Sequence, residues 1–132
     1  MKKYGLSALE KIKSKKDFER IFTGAEIIFS SGNILRANYL LNRNTNTPGS
    51  KFAVAVGKKL GNAVWRNRVK RLVRTAYRCN KLGLIEQCKS KNALLEIIFS
   101  PQELNQIKNR AIRLNEIEPS VVEIIYKIKN RI

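Results

Sequence analysis

The residues of this sequence best suited to chemistry are arginines and lysines concentrated in the middle of the chain. No Asp or Glu occurs between Glu26 and Glu86, and that interval contains a dense run of cations over residues 58–74. Guanidinium and ammonium groups bind phosphate oxygens, and arginine can do so through two parallel hydrogen bonds. Because a merely solvated face usually mixes both signs of charge, the pattern predicts a surface that binds a polyanion.

The composition is that of a folded, strongly basic protein. The chain has 132 residues, with 27 Lys and Arg against 10 Asp and Glu, a net charge of +17 and 43% hydrophobic residues. That length suits one domain, and the apolar content is sufficient for a core. Binding a polyanion relieves such self-repulsion, so nucleic acid is the first candidate partner and an anionic membrane the second.

The membrane alternative has little support in the sequence. No apolar run approaches the roughly 20 residues that a spanning helix needs. No apolar stretch of signal-peptide type follows residues 1–5. We therefore expect a cytoplasmic protein without a membrane partner.

Side chains for catalysis or metal binding are scarce. The chain has no His, and Cys79 and Cys88 are its only cysteines, which excludes a Cys/His zinc site and a histidine general base. Hydrolysis of a phosphodiester usually needs metal ions held by clustered carboxylates, whereas the acidic residues here are scattered. We expect two reduced structural cysteines, no catalytic residue, no metal site and no cofactor bound by the protein.

The elements that position the functional side chains begin with a short helix over about residues 15–23. Ser14 precedes it as a cap and Gly24 follows it. Phe18 and Phe22 lie one turn apart on one face of this helix. The aromatic pair is either part of the core or a surface on which unpaired bases stack.

The next part of the chain predicts strands. Residues 26–41 favour two strands, residues 42–50 form a polar loop, and residues 51–57 form a third strand. The third strand has one bulky face and one nearly bare face, which carries Ala53 and Ala55. The bare face either packs closely against a helix or forms the floor of a groove.

A basic amphipathic helix is predicted from residue 63 to about residue 81. At about 100° per residue, one arc is apolar and the opposite arc is cationic, with Arg66 near the margin. The cationic arc consists of Asn67, Arg68, Lys70, Arg71, Arg74 and Arg78. No Asp or Glu lies among them to form stabilising ion pairs, so the repulsion along this arc needs an external partner.

The last third predicts a buried strand followed by helices. The strand covers residues 92–100 and is ended by Pro101. Helical patterns follow over residues 102–114 and 119–132, with Pro119 as the first residue of the last helix. The whole chain, 1–132, is predicted as a single α+β domain in which helices cover one sheet.

The stretch Val56–Arg74 carries a motif that resembles the bacterial ribonuclease P protein family. A strand ends in a turn with two lysines, and the following helix opens with Arg-Asn-Arg and continues Lys-Arg-Leu-Val-Arg. Residues 16–22, followed by Gly24, are similar to the first helix of the family. The resemblance covers about residues 10–80 well and the strand at 92–100 loosely.

Both ends of the chain depart from this resemblance. Residues 102–118 look like an insertion before the last helix, and residues 1–13 look like a flexible N-terminus. The family resemblance implies the element order α-β-β-β-α-β-α in a two-layer fold like domain 2 of ribosomal protein S5. It also implies a left-handed βαβ crossover.

The resemblance assigns two RNA-binding surfaces. The surface for the catalytic RNA of ribonuclease P comprises Lys58, Lys59, Asn62, Arg66, Asn67, Arg68, Lys70, Arg71 and Arg74. The surface for the 5′ leader of precursor tRNA comprises Phe18, Phe22, Arg36, Tyr39, Ala53 and Ala55. Tyr39 is the expected sheet aromatic of the groove, and Arg36 competes with it for that position.

The resemblance implies an accessory subunit of a ribonucleoprotein endonuclease. The RNA subunit would hold Mg²⁺ and perform the chemistry, and no protein partner is expected. A ribosomal or ribosome-assembly RNA-binding protein is the main alternative. A DNA-binding regulator is a second alternative, which predicts a helix-turn-helix around the basic helix.

Overall fold

In the computed structural model, which describes residues 10–24 and 26–132, segments with strand periodicity form a sheet and segments with helical periodicity pack on it. The helices are α1 (Lys15–Gly24), α2 (Ala63–Asn80), α3 (Leu82–Ser90) and α4 (Leu114–Lys129). The strands are β1 (Glu26–Phe29), β2 (Leu35–Arg43), β3 (Gly49–Val54) and β4 (Ala93–Pro101). Short 3-10 turns at Ser31–Asn33 and Lys58–Leu60 precede β2 and α2.

The strands form one sheet in the order β1-β2-β4-β3. β2 is antiparallel to β1 and β4, whereas β3 runs parallel to β4. Parallel neighbours need a crossover connection, and α2 and α3 lie within it. The predicted α+β class and element order are confirmed, with α3 as an additional helix.

One face of the sheet, which we call the core face, packs against α2, α3 and α4. β4 contributes Leu95, Ile97 and Phe99 to this core. Phe52 of β3 stacks on Tyr77 of α2, with ring centroids 4.2 Å apart. The bulky side of β3 therefore fixes the basic helix against the sheet, in agreement with the predicted alternation along this strand.

The opposite face, which we call the α1 face, carries the first helix. Ile21 of α1 is fully buried in a small cluster with Ile12, Ala53 and Ile98. The nearly bare side of β3 thus packs closely against a helix at Ala53, which is one of the two predicted alternatives.

The basic helix forms as the sequence predicts. Asn62 caps its N-terminus, because the side-chain oxygen accepts a hydrogen bond from the Trp65 backbone N–H at 2.9 Å. Trp65, Val69 and Val73 are buried along one arc. Burial of this arc leaves the cationic arc on the outside.

The helix predictions after the basic helix are wrong in three places. Residues 102–113 form turns, and α4 begins at Leu114, so Pro119 lies inside that helix. The buried stripe of α4 already includes Ile117, and this packing extends the helix before the proline. The sequence analysis missed α3 because its two buried residues, Leu84 and Cys88, lie in a mostly polar segment.

The N-terminal segment before α1 lies against β3. Ile12 is buried, and its backbone N–H donates to the Phe52 carbonyl at 3.0 Å. Residues 11 and 12 are therefore paired with β3. Residues 1–9, including the expectation for residues 1–5, lie outside the described residues. Within residues 10–24 and 26–132, no helix has the length and apolar content required to span a bilayer.

The two cysteines are predicted to differ in reactivity. Cys79 is exposed, whereas Cys88 is buried, and burial raises the pKa of its thiol to about 11. Because the thiolate is the reactive form, an alkylating reagent at about pH 8 should modify Cys79 in the native chain and both thiols only after unfolding. Mass spectrometry checks this result, with Cys79→Ser as the control. Rapid native modification of Cys88 would contradict it.

Candidate nucleic-acid interface

A buried carboxylate fixes α1 on the α1 face of the sheet. The side chain of Glu96 on β4 is only 5% exposed, and Arg20 of α1 contacts it with both terminal nitrogens, at 2.9 and 2.6 Å. The Asn42 amide donates to the same carboxylate at 3.2 Å. A fork of two hydrogen bonds restrains direction as well as distance, so this contact sets the orientation of the helix.

The orientation of α1 places its aromatic pair at the edge of the covered area. Phe18 is half-buried and packs against the cluster around Ile21, whereas Phe22 is 38% exposed. The two ring centroids are 6.3 Å apart. Phe18 is therefore partly a core residue, and Phe22 is the ring with more surface free for stacking.

Beyond α1, the same face of the sheet presents a row of side chains. Arg36 of β2 pairs with Phe29 of β1 on one side and with Ser100 of β4 on the other. Directly paired residues point to the same face, so these side chains share the α1 face with Ala55. Small residues next to a half-buried arginine form a groove floor beside the α1 aromatics.

Tyr39 does not belong to this groove. It lies on the core face, because side chains alternate along β2 and Tyr39 is an odd number of residues from Arg36. Its hydroxyl donates to Glu26 at 2.6 Å and accepts from Arg131 at 2.8 Å. Burial, and then the Glu26 carboxylate, raise the pKa of this hydroxyl. The prediction of Tyr39 as the sheet aromatic is wrong.

Phe29 is an exposed aromatic residue of the α1 face that the sequence analysis did not select. It is 42% exposed on the α1 face, next to Arg36 in the register of β1 and β2. The alternation of Ile28 inward and Phe29 outward was the available signal. β1 has only four residues, which are too few to assign each side chain to a face of the sheet before the pairing of β1 with β2 is known.

The outer surface of α2 matches the predicted cationic arc. Asn67, Arg71 and Arg74 are exposed, and Lys70 is half-buried. A depression of about 300 Å³ lies between α2 and α1 and is lined by Lys70, Arg74, Phe18 and Ala53 among others. Cationic side chains of α2 and one aromatic ring of α1 therefore share a depression at the edge of β3.

Lys11 and Lys13 line the same depression, and the sequence analysis did not select them. Both are exposed. They lie far before the motif at Val56–Arg74 in the sequence. Only the pairing of the N-terminal segment with β3 brings them beside α2. They add positive charge where the two surfaces meet.

Three of the predicted RNA-binding residues also stabilise the fold. Asn62 caps α2, as described above. The Arg66 Nε–H donates to the Gly61 carbonyl at 3.1 Å. The Arg68 Nε–H donates to the Ile112 carbonyl at 2.8 Å. Replacement of Arg68 therefore perturbs structure as well as charge, which makes Arg71 the cleaner probe of RNA binding.

Residues 102–113, which we call the 102–113 loop, are bound to the start of α2. The Gln106 N–H donates to the Leu60 carbonyl at 2.7 Å, and the Gln106 side-chain oxygen accepts from the Asn62 N–H at 2.8 Å. The Trp65 indole N–H donates to the Asn109 carbonyl at 2.9 Å. A Cβ on Gly61 would lie 2.7 Å from the Trp65 ring, so this turn requires glycine.

Lys58 and Lys59 lie beside this loop. They line a depression together with Arg110. They extend the cationic surface toward the 102–113 loop.

The cationic and aromatic side chains of this region are suited to binding phosphates and unpaired bases. In the described part of the chain, no three or more Asp, Glu, Cys or His side chains form a group that could hold a metal ion. The carboxylates nearest the groove are paired, Glu96 with Arg20 and Asp17 also with Arg20. Cationic and aromatic groups together bind phosphates and unpaired bases.

Comparisons with known proteins agree on one family. A family model described as Ribonuclease P matches residues 6–115. The ribonuclease P protein component of Clostridium novyi is 30% identical over 116 residues, covering 88% of this chain and 90% of that protein. The corresponding protein of Lactococcus lactis strain IL1403 is 44% identical over 66 residues, covering 50% of this chain and 52% of that protein.

Solved structures show the same fold. The RNase P protein of Staphylococcus aureus has a TM-score of 0.66 and 24% identity, covering 90% of this chain and 94% of that chain. The RNase P protein of Thermotoga maritima has a TM-score of 0.70 and 20% identity, covering 89% of this chain and 96% of that chain.

Removal of the Arg20 side chain is predicted to destabilise the fold. Arg20→Ala leaves the Asn42 amide as the remaining side-chain donor to the buried Glu96 carboxylate among the described residues. Because Arg20 is itself partly exposed and water can replace it in part, we expect a loss of about 1–3 kcal/mol in the free energy of unfolding. Urea unfolding measures it.

The matched control removes the negative charge of Glu96 as well as its partner, the Arg20 side chain. Arg20→Ala combined with Glu96→Gln should recover part of the loss, because no unpaired carboxylate is then buried. Equal or greater destabilisation of the double variant would contradict the role assigned to this contact.

Proposed function

This chain belongs to the bacterial ribonuclease P protein family, and we propose that it binds the catalytic RNA through α2 and the 5′ leader of precursor tRNA in the groove beside α1. As a member of this family it is the accessory subunit of a ribonucleoprotein endoribonuclease that processes tRNA. The substrate is bacterial precursor tRNA, so we place its work in the cytoplasm. The cleavage gives the mature 5′ end of the tRNA.

The unopposed charge of α2 is the observation that carries the proposal. The helix has no acidic residue over its 18 positions, and its outer arc holds Asn67, Arg71 and Arg74 in solvent. A helix mounted on a packed core holds guanidinium groups at fixed spacing, which suits the regular phosphates of a folded RNA. We assign the catalytic RNA to this surface.

The groove has the features that a single strand needs. Phe22 and Phe29 offer exposed ring faces, and Arg36 and Ala55 form the floor between them. Bases stack on aromatic rings whatever their identity, and a floor of small residues allows the backbone to approach. A depression at the edge of β3 is lined by Phe18 of α1 and by Lys70 and Arg74 of α2, so it offers the leader a path from α1 to α2.

We propose that the RNA subunit supplies the catalytic metal. Its phosphates and bases would hold Mg²⁺, which activates the water and stabilises the leaving oxygen. The protein would then increase the affinity for the substrate and organise the catalytic RNA. The paired carboxylates around the groove support this division of work.

The two alternative functions have less support. A helix-turn-helix regulator needs a helix immediately before the recognition helix, whereas β3 and a 3-10 turn precede α2 here. A ribosomal protein would share the charge, but the relatives named above are ribonuclease P protein components.

Reconstitution tests the proposed function. The full chain is mixed with a bacterial ribonuclease P RNA and precursor tRNA at low magnesium concentration. We expect a marked increase in cleavage at the mature 5′ end relative to the RNA alone. Failure to stimulate the RNA, or cleavage by the protein without RNA, would overturn the proposal.

Removal of exposed arginines from α2 should weaken binding to the catalytic RNA in a salt-dependent way. Each arginine that no longer neutralises a phosphate should reduce the log–log slope of affinity against salt by about one unit, so Arg71→Ala should lower it by about one. Arg71→Ala with Arg74→Ala should lower it by about two. Filter binding over a range of KCl concentrations measures the slopes.

Lys129→Ala is the matched control, because it removes the same charge from an exposed position of α4. We expect its slope to equal that of the unaltered chain. Equal changes of the salt slope in Lys129→Ala and Arg71→Ala would indicate that binding depends only on net charge. That result would contradict α2 as the docking surface.

Removal of the exposed α1 aromatic should affect only substrates with a leader. Phe22→Ala should weaken binding of precursor tRNA to the holoenzyme by about 1–3 kcal/mol, because one base loses its stacking partner. Binding of mature tRNA should not change. Tyr126→Ala is the control, since this exposed aromatic lies on α4. A similar loss with mature tRNA would exclude a stacking contact to the leader.

A further inference from the structure

The 102–113 loop contains a tight turn that is closed by its own polar groups. The Asn109 backbone N–H donates to the Asn105 carbonyl at 2.8 Å, and the Lys108 N–H donates to the Asn105 side-chain oxygen at 2.9 Å. The Asn105 N–H donates to the Asn109 side-chain oxygen at 3.3 Å. The hydrogen bonds of Gln106 and of the Asn109 carbonyl, described above, fix these residues to the start of α2. We call residues 105–110 the 105–110 turn.

The 105–110 turn brings together cations from two distant segments of the chain. Arg110 lines a depression of about 740 Å³ with Lys58 and Lys59, and none of the described residues that line it is acidic. None of the three cations forms an ion pair within residues 10–24 and 26–132. Because the hydrogen bonds of Gln106 hold the two segments together, like charges border one depression without a counter-charge. The depression therefore suits an anion that a partner supplies.

Exposed apolar side chains lie on the turn and on the adjacent start of α2. Ile107, in the middle of the turn, is 96% exposed, and Val64, in the first turn of α2, is 79% exposed. They are the two most exposed large hydrophobic side chains among the residues that the structure describes. Ile107 also lines the depression with the cations. A phosphate alone needs no apolar surface, whereas an unpaired nucleotide carries a phosphate beside the flat face of a base.

This depression is distinct from the one that lies between α1 and α2. The two have no lining residue in common, and the other depression, with Phe18, is the one that we assign to the leader. The 3-10 turn Lys58–Leu60 directly precedes α2. An RNA that is docked on the cationic arc can therefore continue onto this depression. These relations favour the catalytic RNA over the leader as the partner.

We propose that the 105–110 turn, with Lys58 and Lys59, holds one unpaired nucleotide of the catalytic RNA, with its phosphate between the cations and its base against Ile107. This inference rests on the proposed function. It adds a nucleotide site to the docking surface, since neither Ile107 nor Arg110 belongs to the predicted RNA-binding residues. Contacts to the sugar-phosphate backbone set the register of a protein on a nucleic acid. The turn thus fixes the position of the RNA along α2.

The apolar and cationic parts of the site should have different effects on binding of the catalytic RNA. Ile107→Ser should weaken binding by about fivefold and leave the salt slope unchanged, because loss of an apolar contact changes no counterion release. Arg110→Ala should weaken binding and lower the log–log salt slope by about one unit. Filter binding of the full chain over a range of KCl concentrations, without precursor tRNA, measures both effects.

Each variant has a matched control elsewhere on the surface. Val122→Ser removes an exposed aliphatic side chain from α4, and Lys91→Ala removes an exposed cation from the turn after α3. Both controls should bind the catalytic RNA as the unaltered chain does. All four variants replace exposed side chains, so their melting temperatures should stay unchanged. Equal weakening by Ile107→Ser and Val122→Ser would overturn the proposal.

Chemical probing of the RNA locates the nucleotide. Acylation of ribose 2′-hydroxyls marks unpaired nucleotides, and we expect the unaltered chain to protect one of them. At saturating protein concentration, that nucleotide should regain reactivity with Ile107→Ser and with Arg110→Ala, and it should stay protected with Arg71→Ala. The proposal is wrong if no nucleotide depends on both Ile107 and Arg110, or if Arg71→Ala exposes the same nucleotide.

The measurements separate this proposal from the proposed function. If the unaltered chain neither binds the catalytic RNA nor stimulates its cleavage activity, the proposed function fails, and the nucleotide site fails with it. If the unaltered chain does both and the variants bind equally well, only the nucleotide site fails. If Ile107→Ser and Arg110→Ala weaken binding of precursor tRNA to the holoenzyme and not binding of the catalytic RNA, the site serves the substrate, which also overturns the proposal.

Discussion

The contact between Arg20 and the buried Glu96 is the constraint on which the groove depends. A carboxylate on the middle of a sheet face must be paired, and Arg20 meets it with both arms of its guanidinium group. That geometry fixes the rotation of α1 about its axis. Phe18 is consequently half-buried and Phe22 exposed, and the far end of the sheet face is left open beside them.

A second constraint fixes the cationic helix. Phe52 stacks on Tyr77, whose hydroxyl is bonded to Ser50, so β3 and α2 share a buried contact between strand and helix. Because the other side of β3 packs against α1 at Ala53, one strand positions both surfaces. The cationic helix α2 and the first helix α1 are therefore both held against β3 at one edge of the sheet.

The 102–113 loop shows how a turn-rich segment extends this scaffold. It contributes backbone carbonyls to Trp65 and Arg68 and a side-chain acceptor to the start of α2. Part of the predicted RNA surface is thereby used to hold the loop. The remaining cations, with Arg110 beside Lys58 and Lys59, broaden the positive surface at the helix N-terminus.

The sequence by itself determined the basic helix and its buried arc, the alternation along β3 and the first helix, because these are local patterns repeated over several turns or residues. It also carried the family motif, which lies in one continuous stretch. The tertiary structure alone decided which face each residue of β1 and β2 occupies, since short strands give too few positions to assign a face before pairing is known. It thereby excluded Tyr39 and brought Phe29, Asn38 and Ser100 beside Arg36. The start of α4 was likewise decided by packing, because burial of Ile117 outweighs the local signal of Pro119.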